Sequence, residues 1–256
     1  MSALFVLAII LFVLMAIVGG KKGIKSFIAF IINFFVLITV ILIMNDPNGD
    51  PVLLTLLACI VISAVSLFFI NEVNSKTTLA FLSTIITIVL LLLFIIFITE
   101  ESMIQGFGEE ESDSIYYFSL QIGLDFVKIA TAVIIMSTIG AIVDTAISIT
   151  SPMREIHQQN PTISRMELFL TGIRIGKDIL GTSTNTLFFA FFGGYMALLI
   201  WFKDLSYSFG EIINSKVFSD EMITIFTAGM GVAIVIPIAS GMTAYYLVRR
   251  KQKHKA

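Results

Sequence analysis

Thr78-Leu-Ala-Phe-Leu-Ser-Thr-Ile-Ile-Thr-Ile-Val-Leu-Leu-Leu-Leu-Phe-Ile-Ile-Phe-Ile-Thr99 runs for 22 residues without a charge. Wound as an α-helix it reaches about 33 Å, the thickness of a bilayer's hydrocarbon core. The run has no alternation of polar and apolar residues, so it does not read as a barrel strand, and a chain in lipid must satisfy its backbone N–H and C=O groups internally. It is therefore a transmembrane helix. Six more runs follow the same rule, giving spans at about 3 to 19, 26 to 44, 52 to 70, 78 to 99, 127 to 149, 183 to 202 and 223 to 247. The composition agrees: 57% of the 256 residues are hydrophobic and 13% charged, with 23 Phe, against about a quarter charged in a soluble domain. The expected fold is all-α, a polytopic helical bundle of about seven spans forming one transmembrane domain over 1–256.

Direction comes from the basic residues. With the N-terminus outside and the C-terminus inside, cytoplasmic segments hold 13 of the 16 Lys and Arg, among them Lys21, Lys22, Lys25, Lys76, Arg154, Arg165, Arg174, Lys177, Arg249 and Arg250. The outside then holds 45–51, the acidic stretch 100–125 with Glu109-Glu110-Glu111, and 203–222, all too short for a folded extracellular module. Within the chain, 1–99 forms a four-helix part and 126–247 a three-helix unit, with a basic tail at 248–256. The unit contains a cytoplasmic connector at 152–181. There Asn160-Pro161-Thr162 signals a turn, and Ser164 with Glu167 fits a capping box. The apolar positions from Met166 to Ile175 predict an amphipathic helix leading into span six.

Several function classes lose support at once. The single cysteine, Cys59, excludes a disulfide framework, and His157 and His254 lie far apart, so no metal site is expected. No phosphate-binding glycine loop or serine nucleophile elbow is present, so no cofactor and no enzymatic activity are expected. Nothing in the charge pattern points to nucleic acid; the expected environment is the lipid bilayer.

Polar groups inside apolar helices carry the functional signal, because a carboxylate there costs a few kcal/mol. Asp144 is the foremost. Helical spacing puts Ser137, Gly140 and Ser148 on its face, and such small residues let a neighbouring helix approach, so Asp144 is expected in the bundle interior. The second group is a stripe of Arg174, Asp178, Thr182 and Asn185 at the start of span six, where Gly181, and later Gly193 and Gly194, are expected to serve helix packing. For the hydroxyls, bonding back to their own helix is the ordinary reading. Asn33 in span two, Lys128 near the outer end of span five, and Pro237 in span seven are weaker signals.

Gly140-Ala-Ile-Val-Asp144-Thr-Ala-Ile-Ser-Ile149, then Asn160-Pro161, then Gly176-Lys-Asp-Ile-Leu-Gly181-Thr-Ser-Thr-Asn185-Thr186-Leu187 resembles the signature of the YibE/F family of bacterial multipass membrane proteins, in its shorter, YibF-like form. More distantly, a Gly-x-x-x-Asp helix followed by a helix ending Phe191-Phe192-Gly193-Gly194 is similar to one helical unit of RND transporters and of the SecD/SecF translocase subunits. That likeness implies a proton relay through Asp144, and it implies pairing of two such units. Two departures stand out: Thr145 occupies the place of the second aspartate of many RND pumps, and their large extracytoplasmic domain has no counterpart.

The leading expectation is thus a subunit of a proton- or cation-coupled transporter or translocase in a bacterial cell membrane, with Asp144, Asp178, Thr182 and Asn185 as relay candidates. It would act as a homo-dimer or in a hetero-complex with a YibE-like subunit. The alternative is a non-transporting scaffold or accessory subunit whose polar residues only fix helix packing. An intramembrane aspartyl protease built on Asp144 and Asp178 is disfavoured, since the expected Gly-x-Gly-Asp pattern is absent.

Overall fold

The computed structural model describes residues 3–44, 46, 49–104 and 125–255, with side chains placed up to Arg249. The acidic run Glu109-Glu110-Glu111 and the side chains of the basic tail beyond Arg249 lie outside these. Every described element is helical: α1 (Ala3–Met44), α2 (Pro51–Ala64) continued by a π-helical turn (Val65–Phe69), α3 (Ser75–Glu101), α4 (Phe126–Gln159), α5 (Arg165–Gly194), α6 (Met196–Asp204), α7 (Phe209–Asn214) and α8 (Lys216–Lys255).

Local chemistry sets the helix starts. Asp50 accepts from the amides of Val52 and Leu53 and is followed by Pro51 at the first helical position. Asn74 forms a reciprocal capping box with Thr77, and Asp125 caps α4. Ser164 caps α5 by accepting from the Glu167 amide, as its sequence predicts.

Among the described residues, five helices are long and apolar enough to cross a membrane, and the bent pair α5 and α6 makes a sixth. The expected spans one and two are joined in α1, which is broken only at Gly20, whose φ of 55° and ψ of −134° a side chain would oppose. Phe12 and Phe27 stand 15 residues apart, about 22 Å along a straight helix, yet their rings lie 5.0 Å apart. The two limbs therefore fold back on each other. A one-residue break replaces the expected connection, and counting the limbs separately accounts for about seven runs.

Span six also differs from its expected form. It is not a straight helix over 183–202, nor is the connector a separate element: α4 continues to Gln159, and α5 is unbroken from Arg165 to Gly194. The axis then bends by 52° into α6. The pair Gly193-Gly194 precedes the bend, where a glycine pair gives little resistance.

In the bundle, α4 and α8 are central. Both pack on α3; α8 also carries α5, α4 carries α2, and α1 rests on α2. The core is mostly aliphatic side chains from these helices, including Leu91, Ile95, Ile134, Ile142, Ile149, Val232 and Val235. The two ends are chemically distinct. At one, Lys25 meets Glu72 at 3.5 Å, Lys76 donates to Ser151 at 3.0 Å and Arg154 donates to Asn74 at 3.2 Å. Arg165 lies 4.8 Å over the ring of Tyr245 at the same end. At the other end Lys128 pairs with Asp50 at 3.1 Å. Residues that the basic bias assigns to one side thus gather on one side.

Candidate functional site

Depth is fixed first. On α4, Asp144 lies ten residues from Arg154 at the basic end and sixteen from Lys128 at the other, about 15 Å and 24 Å by helical rise. With a hydrocarbon core of about 30 Å centred between those markers, Asp144 falls inside it. For Asp178 the ruler is α8. A Cβ on Gly231 of α8 would come within 2.9 Å of the side chains of Ile142 and Leu91, which registers α4 against α8. A Cβ on Gly176 of α5 would overlap Ile236, and one on Gly172 would fall 2.5 Å from Ser240 Oγ and 2.6 Å from Met153 Sδ, which registers α5. Since α4 runs with α8 and α5 against it, Asp144 lies level with position 233 and Asp178 level with position 234. The two carboxylates sit at the same depth.

Their direction departs from expectation. Asp144 is exposed on the surface of the chain, as are Ser137 and Gly140, with Ser148 half-buried. Successive residues turn by about 100°, so Asp144 points about 200° from Ile142, the contact with α8 and α3. Asp178 and Asn185 likewise point away from the Gly176 contact line. Asp178, Gly181, Thr182 and Asn185 are all exposed. The expectation that Asp144 lies in the interior of this chain's own bundle is corrected: α4 buries Ile134, Ile135, Ile142, Ala146 and Ile149, and its small, polar stripe is the side left over.

The packing glycines are corrected too. A side chain at Gly140, Gly181, Gly193 or Gly194 would meet nothing within 4 Å. The glycines that admit close approach are Gly172 and Gly176, a small-xxx-small pair whose signal in the sequence is the four-residue spacing of the two glycines. Among the hydroxyls, Thr182 donates to the Ile179 carbonyl at 2.9 Å and Ser137 to Val133 at 2.9 Å, so both are satisfied within their own helices. Asn33 donates from Nδ2 to Ser66 Oγ at 3.1 Å, tying α1 to the π-helical turn. Pro237 lies within α8 and is exposed. Among the described residues no group of three or more His, Cys, Asp or Glu is placed to hold a metal ion.

Asp144 and Asp178 thus stand level, on outward faces, at a depth where a carboxylate must be covered, paired or protonated. Comparison with known proteins gives one match, a family model for YibE/F-like proteins that spans residues 7–249. It takes in the N-terminal helices as well as the unit from α4 onward. No curated protein and no solved structure matches the chain.

Proposed function

The chain belongs to the YibE/F-like family, and from that premise we propose that it is a subunit of a proton- or cation-coupled transporter or translocase of a bacterial cytoplasmic membrane. Asp144 takes up and releases the proton, and Asp178, Thr182 and Asn185 line the polar path. The observation that carries this reading is the outward stripe Ser137, Gly140 and Asp144, small enough for a second helix to approach and too polar to face lipid. A second unit covers it, either another copy or a longer YibE-like subunit that supplies an extracellular domain. The hetero-pair is favoured because the outer connections of this chain are short. The N-terminus faces outside, from the basic bias. No catalytic step is assigned to either carboxylate.

The scaffold reading rests on the same stripe, as a docking face without proton chemistry. Reconstitution into vesicles, alone and with the partner, separates the two by internal pH under an imposed gradient. Coupled flux lost in Asp144→Asn, with insertion and pairing retained, supports the relay. Full activity in that variant, or a stable and active monomer, overturns it.

A further inference from the structure

Among the described residues, eight buried helix hydroxyls have ordinary outlets. Thr55, Ser63, Ser83, Thr87, Thr99, Thr131, Thr138 and Thr150 each donate to a carbonyl three or four residues earlier in their own helix. Thr84 on α3, Thr145 on α4, and Ser240 and Thr243 on α8 do not. Thr84 and Thr145, the pair on adjacent helices α3 and α4, are buried at 0% and 1% exposure, and neither hydroxyl oxygen has a hydrogen-bond partner.

By helix register these two stand level across the α3–α4 seam. α3 and α4 are antiparallel, with Lys76 beside Ser151 at one end and Thr99 bonded to Thr131 at 2.8 Å toward the other. Stepping eight residues up α3 from Lys76 reaches Thr84, and six back along α4 from Ser151 reaches Thr145. Spacing on α4 agrees, since Thr131, Thr138 and Thr145 recur every seven residues and so share the stripe that meets α3. On α3, Thr84 lies seven residues before Leu91, which packs at the α4 and α8 contact.

We propose that Thr84 and Thr145 hold a buried water molecule between α3 and α4, on the core side of the helix turn that carries Asp144. Two buried hydroxyls that stand level on facing helices and have no partner of their own offer a water the minimum of two polar partners, and such waters are costly to remove. The water's use as a hydrogen-bonded neighbour of the relay rests on the function proposed above; its existence does not.

A double-mutant cycle in melting temperature tests the site on the intact, lipid-reconstituted protein. Thr→Val removes a hydroxyl at nearly constant volume. Thr84→Val and Thr145→Val are each expected to lower the melting temperature by about 2–4 °C, the shift for one net hydrogen bond in a chain of this size. The double variant should lose no more than the worse single one, because one water serves both. Single variants that are neutral or stabilised, or losses that simply add, overturn the site. Proton uptake is then followed in the same variants. Slowed uptake alongside the coupled melting places the water in the relay, and unchanged uptake with coupled melting leaves the water and removes its role.

Discussion

Gly176 on α5 and Gly140 on α4 have similar sequence settings, each a glycine two to four residues from an aspartate in an otherwise apolar helix. Gly176 is pressed against Ile236 of α8, whereas a side chain at Gly140 would meet nothing within 4 Å. The same residue type has been used inside the chain in one place and left open in the other, beside carboxylates that stand level. Close packing within the bundle therefore does not explain Gly140, Ser137 and Asp144, and a face that polar has no stable place against lipid. What holds the fold together and the stripe proposed to meet a partner lie on opposite sides of the same helices.

The sharpest way to break this contrast is to fill both glycines. Gly176→Val puts a side chain into Ile236 and should lower the melting temperature by roughly 5–10 °C, or prevent folding, as overpacking does. Gly140→Val should leave the melting temperature of the single chain within about 2 °C while abolishing pairing, read by mass of the detergent-solubilised complex. If Gly140→Val unfolds the chain, or leaves the complex intact, the division between inner seam and outer face is wrong. A less drastic probe of the face is Ser137→Cys with Cys59→Ser. In a homo-dimer that buries this stripe, oxidation should cross-link two chains, and in a hetero-pair it should not.

This contrast also marks how far the sequence could be read. Seven apolar runs, their alternation and the Ser164 cap are visible because hydropathy and capping are local properties. The fold-back at Gly20 was hidden because Gly19-Gly20-Lys21-Lys22 has the composition of a loop, while the chain remains helical on both sides of a single residue. The bend after Gly194 was hidden because hydropathy continues across it from Phe191 to Phe202. For the site, spacing establishes that Ser137, Gly140, Asp144 and Ser148 share a face, but which face meets a neighbour depends on where α3 and α8 lie, and that is a tertiary fact. Thr84 and Thr145 are 61 residues apart and become level only through the antiparallel register of α3 and α4.

At α1 the expected effect is smaller. Gly20→Ala replaces the residue whose positive φ lets the limbs turn back, at a cost of about 1–2 kcal/mol. Its melting temperature should fall by a few degrees with pairing unaffected, since α1 rests on α2, away from the α4 stripe. Loss of pairing in this variant would mean that α1 takes part in the interface.

The smallest effect is expected at the outer end, where Asp50 and Lys128 tie α2 to α4 at 3.1 Å. Hydrogen bonding from Lys128, then from the amides of Leu53 and Val52, holds the Asp50 carboxyl below the usual carboxylate range. A carboxyl whose pKa is lower in the folded state stabilises above its unfolded value and stops doing so as pH falls through the folded value, so this contribution is present at neutral pH and begins to be lost below about pH 4. Both side chains are nearly half exposed, at 46% each, so solvent and salt screen most of the attraction. Asp50→Asn keeps a helix-capping oxygen and removes only the charge. It should shift the melting temperature by less than about 2 °C at pH 7, and the difference should shrink as pH falls below about 4 and in 1 M salt. A shift unchanged by acid and by salt would show that the charge pair with Lys128 is not what the substitution removes.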